Sequence, residues 1–598
     1  GFTGAIDGGG GTDTASVRFA SDTLINTSIT LPTGFEQLGL SPSSAVTVTL
    51  GNSFTSSQAI AVQGAGTIVN RGTLSSTGTV LTAGTTGLFV NEASILSTGF
   101  SSSVYAVNLL TQQQFTNNGT IQSSGAGVRL NGILTNTGSI IATGAAYSGG
   151  NLINSGIIRS TAGTAVDPSY SLSNSNLIEG RLGVRSHGAQ IINTGTIRGS
   201  DRGIELSSSV LDNRAGGLVE GGNRAIAGLA GSSYATQSFI FNAGTIRGTV
   251  DFGAAASPGF FTSNMFVSNG GTLEGNLFFG RGDTFVTDYD DSLAPGRYRG
   301  VTGNVTALSA RLRYRVKQDM SGGVAPDPVF NSLGFDLFNG ARLTLTDRSP
   351  LAQTLSLAGN GIVDLPGTVR TTTESALFQQ QTTAIPGTPN TDPVTDALSI
   401  ISRGTLSLDR ATFTSNPATV YLQRGATFTN EGLVLARDRT PAGSLIAIYG
   451  GKDVRNNGTI RLDGAIGVSD ATLLTNNGSL IQASGGLSSV GVQNVSKVVN
   501  NGTIDVGGVG VSLNFNGNLV NSGLVASRES TAVQSNAFIN VVVENRAGGT
   551  ISAAPGQAAI RLASGTIGNA GLISGDIVLG TGNDVIENYG IIRGNVTL

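Results

Sequence analysis

Cysteine is absent from the sequence, which excludes a disulfide framework and any thiolate metal site. Its absence suits a chain that crosses a membrane unfolded, where an early disulfide would block passage, and it equally suits many cytosolic proteins. Tryptophan is also absent, and histidine occurs once, at His187. A Ser-His-Asp triad would have to use that histidine as its base. No Gly-x-Ser-x-Gly nucleophile elbow accompanies it, so Arg185-Ser186-His187-Gly188 reads as a turn. One histidine without cysteine leaves too few ligands for zinc. Lysine is confined to Lys317, Lys452 and Lys497, and charged residues are only 12% of the chain. With a net charge of −3 and no basic run or stripe in view, the composition points away from nucleic acid as a partner. No apolar run reaches the roughly 18 residues of a membrane span, and no signal peptide is visible.

Glycine, by contrast, is abundant, with 88 among 598 residues, and 39% of the chain is hydrophobic. There is no Gly-x-y period, so a collagen helix is excluded. Hydrophobicity is too high and charge too low for disorder. What organises the chain is a returning phrase, apolar-x-Asn-x-Gly-Thr/Ser/Leu-Ile/Leu/Val. Phe115-Thr116-Asn117-Asn118-Gly119-Thr120-Ile121, Val454-Arg455-Asn456-Asn457-Gly458-Thr459-Ile460 and Leu474-Thr475-Asn476-Asn477-Gly478-Ser479-Leu480 are three copies.

The phrase asparagine falls at Asn70, Asn117, Asn136, Asn154, Asn193, Asn213 and Asn242, with degenerate copies at Asn91 and Asn174. Steps from Asn117 to Asn213 are 19, 18, 20, 19 and 20 residues. It returns at Asn430, Asn456, Asn476, Asn500, Asn521, Asn545, Asn569 and Asn588, in steps of 19 to 26. Asn213 and Asn545 carry one extra residue before the glycine. A period near 20 is too short for helical-hairpin repeats, and the leucine-rich frame is missing. It suits one coil of a parallel β-solenoid: three short strands and three corners. The expected fold is therefore all-β, a parallel β-helix with inserted loops.

Each part of the phrase has an expected task. The glycine serves a corner at positive φ. The asparagine bonds locally to backbone and, with coils about 4.8 Å apart, its amide meets the next one in a ladder. The Ile or Leu after the glycine points inward. At roughly 22 residues per coil the chain holds about 27 coils, on the order of 130 Å of stacking.

Along the chain, residues 1–60 are N-terminal coils, with period-two alternation at Ala15–Phe19 and Ala45–Leu50 and a loop at 8–14. Residues 61–285 are regular coils; the longer steps to Asn242 and then Asn269 imply inserted loops, with 230–237 a candidate. Residues 286–427 lose the ruler, but alternation persists at 311–316, 341–346, 355–357 and 418–422. These are irregular coils, with a protruding loop at about 371–396, where Pro386, Pro389 and Pro393 exclude a ladder. Residues 428–598 are regular coils again. Residues 374–381 have room for a turn or two of helix and no more. The chain starts without Met and stops within a strand pattern, so it reads as part of a longer precursor.

These Asn-x-Gly-Thr-Ile coils resemble the passenger domains of Gram-negative autotransporters, the type V secreted proteins. Phe241-Asn242-Ala243-Gly244-Thr245-Ile246-Arg247-Gly248 and Asn588-Tyr589-Gly590-Ile591-Ile592-Arg593-Gly594 carry the same likeness, which covers about 61–285 and 428–598. The resemblance implies a right-handed parallel β-helix outside the outer membrane, translocated by a C-terminal β-barrel. That barrel is expected in the precursor, but its aromatic-girdled strands do not follow Asn588.

The expected function is a non-enzymatic extracellular structural or adhesive surface protein. It would display loops and self-associate into a fibre or layer, or bind neighbouring surface components, a host or a polysaccharide. No catalytic, cofactor or metal residues are assigned. The alternative is a polysaccharide-degrading β-helix enzyme, which needs paired carboxylates. The densest acidic group is Asp283, Asp288, Asp290 and Asp291. Its oxygens are of the type calcium takes, and a solvated loop is the reading preferred. Gly580-Thr581-Gly582-Asn583-Asp584-Val585-Ile586 resembles half of a calcium-binding nonapeptide and is read as a corner. Arg281-Gly282-Asp283 spells an integrin tripeptide too short to carry weight.

Overall fold

The structure, a computed structural model, describes residues 7–83, 87–101, 104–110, 114–228, 237–252, 263–290, 292–294, 296–323, 329–346, 354–372, 375–379, 398–410, 418–440, 445–483, 488–535 and 541–598. The candidate insertion at 230–237, most of the loop at 371–396 and Asp291 lie largely outside the described residues. The turn or two of helix allowed at 374–381 is corrected: Leu377–Gln379 is a strand, drawn into the parallel ladder between Thr354–Gly359 and Ala418–Tyr421. Described residues form strands and no helix, and hence no helix able to cross a membrane.

The strands pair in parallel and stack as a β-solenoid of about 23 turns. That is fewer than the 27 expected, because inserted segments lengthen the average turn. The turns divide between two units, Gly1–Thr287 with Gly296–Ala310, and Asp288–Pro295 with Arg311–Leu598.

In the first unit the phrase lies at one strand's end and the next strand's start, as in Gln114–Asn117 and Thr120–Ser123. Residues alternate in and out with period two. Phe89, Phe115, Leu134, Leu152, Leu172, Ile191, Leu211 and Ile240 form one buried column in strict register. Ile95, Ile121, Ile140, Ile158, Ile178, Ile197, Val219 and Ile246 form a second, after the glycine.

The asparagine ladder is present and buried. Nδ2 of Asn70, Asn91, Asn117, Asn136, Asn154, Asn174, Asn193 and Asn213 donates to Oδ1 of the next asparagine at 2.7–2.9 Å. The degenerate copies at Asn91 and Asn174 are full members. The ladder ends at Asn242, whose partner in the next turn is Ser268, not Asn269. Asn269 follows the ladder position and donates its backbone N–H to Asn242 O.

The phrase glycine corrects the sequence reading. Gly119, Gly138, Gly156, Gly458, Gly478 and Gly502 do not have positive φ. What excludes a side chain is the turn below. A Cβ on Gly138 would lie 2.0 Å from Gly119 O, and one on Gly478 would lie 2.0 Å from Gly458 O. Positive φ appears in the longer variants, at Gly216 and Gly548 (both 85°), and at Gly270 after Asn269 (87°).

In the second unit the alternating stretches are strand residues, Arg311–Val316, Arg342–Thr346, Thr354–Gly359 and Ala418–Tyr421, paired in parallel with their neighbours. A second ladder runs from Asn430 through Asn456, Asn476, Asn500, Asn521, Asn545 and Asn569 to Asn588 at 2.7–2.9 Å. At the start of this ladder, Asp438, on the strand that follows Asn430, and Arg410, one turn earlier, form an ion pair with no exposed surface, Nη2 to Oδ2 at 2.5 Å. Asp438 also accepts the Thr440 hydroxyl and the N–H groups of Thr440 and Leu445. Burial works against its charge. The hydrogen bonds from Arg410, Thr440 and Leu445 outweigh it and hold the carboxyl below its usual range.

Candidate binding groove

The strand after each phrase glycine has a buried apolar residue, then one outward position, then the next corner. From Arg159 to Glu274 that outward position alternates in charge. Arg159, Glu179, Arg198, Glu220, Arg247 and Glu274 occupy six successive turns of the first unit in direct register. The arginines bond forward through Nε, Arg159 to Glu179 at 2.7 Å, Arg198 to Glu220 at 2.8 Å and Arg247 to Glu274 at 2.8 Å. Nη1 leans back to the preceding glutamate, at 4.0 Å from Arg198 to Glu179 and 3.6 Å from Arg247 to Glu220. The hydrogen bond to Glu274, then the glutamate charges, raise the Arg247 pKa.

The three arginine side chains are 45%, 47% and 50% exposed, whereas Glu179 and Glu220 are 29% and 26% exposed. Between Arg159 and Arg247 the guanidinium groups are thus more exposed than the carboxylates, whereas Glu274 at the column's end is 43% exposed. Beside the column runs a glycine floor, Gly180, Gly199 and Gly221. These glycines are required by the chain itself: a Cβ on Gly199 would lie 1.6 Å from Arg202 O, and one on Gly221 would lie 1.9 Å from Arg224 O. Arg181 and Ser200 line the groove beyond the floor, and Arg181 pairs with Asp201 at 3.0 Å. The resulting groove has a volume of about 640 Å³.

No basic stripe is visible in the sequence because its arginines, Arg159, Arg198 and Arg247, are 39 and 49 residues apart. Ile158-Arg159, Ile178-Glu179, Ile197-Arg198, Val219-Glu220, Ile246-Arg247 and Leu273-Glu274 would have disclosed the alternation, had charge been read at a fixed phase of the coil. The second unit has a shorter counterpart, Asp409, Arg437 and Asp463, at 3.4 and 3.1 Å. It also carries a stack of half-buried rings, Phe378, Tyr421 and Tyr449, with centroids 4.9 and 5.1 Å apart.

The acidic group singled out from the sequence is not one site. Asp283 belongs to the first unit and is buried, its carboxylate accepting the N–H groups of Gly280 and Asn264. Its burial also removes it from any receptor reading of Arg281-Gly282-Asp283. Asp288 and Asp290 belong to the second unit. Asp288 pairs with Arg315 at 2.9 Å and Lys317 at 3.3 Å, and Asp290 accepts the Ser292 hydroxyl and N–H. Asp584 accepts the Gly565 N–H, as a corner residue does. Among the described residues no group of three or more acidic or histidine side chains is placed to hold a metal ion.

The turn expected at Arg185–Gly188 is corrected: Arg185, Ser186 and His187 end the strand Leu177–His187, with His187 exposed in register with Ser207, and the chain leaves the strand at Gly188, φ 83°. Asp167 is near enough to feel its charge: burial raises the Asp167 pKa, and His187 and Arg185 oppose that rise. No serine hydroxyl is bonded to His187 among the described residues. In comparisons with known proteins, the chain matches no family model, no curated protein and no solved structure.

Proposed function

We propose that the protein is a non-enzymatic, extracellular structural and adhesive protein, displayed at the outer surface of a Gram-negative cell in the manner of an autotransporter passenger. The observation that carries this reading is the buried asparagine ladder in each unit. From Asn70 to Asn242 and from Asn430 to Asn588 it joins each turn to the next through side-chain amides as well as backbone, so each added turn completes the hydrogen bonds of the one before. Repeat stacks of this kind fold by propagation from neighbour to neighbour. A chain without cysteine can therefore emerge unfolded and build its structure outside. Self-association and contact with neighbouring surface components belong to the same reading.

The groove supports adhesion over catalysis. The depolymerising alternative needs one carboxyl to act as proton donor beside a second carboxylate. Glu179 and Glu220 are instead each approached by two arginines. The test is immunogold labelling of the native cells, paired with protease shaving. Label outside the outer membrane, lost on shaving, is expected. A chain found only in the cytosol, or purified protein releasing new reducing ends from polysaccharide, overturns the reading.

A further inference from the structure

We infer that the Arg159–Glu274 column is a binding site for a linear acidic polysaccharide in which charged and neutral sugars alternate. The inference deepens the adhesive reading and rests on it only for where such a polymer is met.

The first argument is spacing. Adjacent strands lie about 4.8 Å apart, so Arg159, Arg198 and Arg247, one every second turn, repeat at roughly 9.6 Å. An equatorially linked pyranose chain advances by about one strand spacing per sugar. A disaccharide therefore spans two turns, and a polymer with one carboxylate per disaccharide presents its charge in step with the arginines.

The second argument is orientation. Each ladder arginine is clamped through Nε to the following glutamate. Nη2 of Arg159, Arg198 and Arg247 makes no hydrogen bond among the described residues. Guanidinium edges held in this way suit a carboxylate, which takes paired N–H donors. Pre-positioning by the glutamates lowers the ordering cost of binding.

The third argument is the role of the glutamates. A neutral sugar placed over Glu179 or Glu220 donates its hydroxyls to the carboxylate. A charged sugar at that position meets repulsion. The column thus selects against polymers charged at every residue, and specificity of this sort commonly depends on the repulsive element. A nucleic-acid strand, with a phosphate at each nucleotide, falls in the rejected class. Beside the column the groove is lined by Gly180, Gly199 and Gly221, with Arg181 and Ser200 beyond them.

Stacking alone does not call for this column, because exposed ion pairs contribute about 0–1 kcal/mol each. The buried ladder and core columns already hold these turns in register.

The test uses the whole chain in titration calorimetry at low salt, against four probes. They are a β-linked polymer of alternating glucuronate and N-acetylglucosamine, a polygalacturonate charged at every sugar, a neutral dextran and single-stranded DNA. The alternating polymer is expected to bind at least tenfold more tightly than the other three. The double variant Arg198→Glu with Glu220→Arg keeps the net charge and breaks the alternation. It is expected to lose at least tenfold for the alternating polymer only. Arg198→Gln with Arg247→Gln is a milder variant should the swap fail to fold. Arg528→Gln, an exposed Asp505-paired arginine of the second unit, is expected to bind as the unaltered chain does. Equal binding of all polyanions, undiminished binding by the altered columns, or a column that only joins copies of the chain overturns the inference. A surface-displayed chain that binds no probe defeats this inference alone. A chain that binds the alternating polymer but is never displayed defeats the proposed function instead.

Discussion

Asn476→Ala tests the ladder at its most demanding point. Asn476 is fully buried; its Nδ2 donates to Asn500 Oδ1 at 2.7 Å and to Thr503 O at 3.2 Å, and its Oδ1 accepts from Asn456 Nδ2 at 2.7 Å. Alanine removes all three bonds. Asn456 Nδ2 keeps a partner in Ser479 O at 3.2 Å, but Asn500 Oδ1 loses the donor from the turn below. Leaving a buried polar group unpaired costs about 1–3 kcal/mol, and with the lost bonds the total comes to about 2–4 kcal/mol. At 1.4 kcal/mol per tenfold, local opening becomes roughly 30- to 1,000-fold more frequent. The control is the adjacent Asn477→Ala. Asn477 is the same residue type on the exposed side, bonded to Asn457 and Asn501 at 2.9 Å. Exposed replacements usually stay within about 0.5 kcal/mol.

Native-state hydrogen exchange is the assay, because each turn of a stack touches only its neighbours and opening is local. Faster exchange is expected in Thr459–Asp463, Ser479–Gln482 and Thr503–Val506, with the first unit unchanged. Equal effects at Asn476 and Asn477, or no local acceleration at Asn476, would refute the view that side-chain amides hold the turns together.

Three further outcomes follow from the same structure. Gly478→Ala is expected to destabilise despite its ordinary φ, whereas Gly568→Ala, where a Cβ meets nothing within 4 Å, is expected to stabilise by about 0.4–1 kcal/mol; thermal melts read both signs. Arg410→Met leaves Asp438 buried without its cation and is expected to cost about 3–5 kcal/mol, while replacing both partners by apolar residues restores most of that loss. Because the Asp438 pKa is lowered on folding, its contribution is present above the unfolded value of about 3.9 and fades as pH falls through the lower folded value. Asp438→Asn is therefore expected to flatten the acid limb of stability for the second unit, as followed by hydrogen exchange or proteolysis against pH. Arg159→Gln, at an exposed pair, is expected to lower stability by no more than about 1 kcal/mol, and less in high salt.

The sequence alone determined the class of fold, the period and the ladder. Those follow from a local rule, since one phrase repeated at about 20 residues must meet itself when strands stack in parallel. Even the degenerate copies at Asn91 and Asn174 obeyed it. What the tertiary structure decided depends on atoms one or more turns away. Asn269 stood where the spacing wanted an asparagine, yet packing put Ser268 at that level. The phrase glycines suggested a backbone conformation, but their cause is a carbonyl oxygen in the turn below, which no local reading contains. Asp283 and Asp288 are near in sequence but are committed to different partners in different units. The arginines and glutamates of the column look scattered along the chain, and only stacking lines them up, because the fold turns sequence distances of about 20 residues into a single strand spacing.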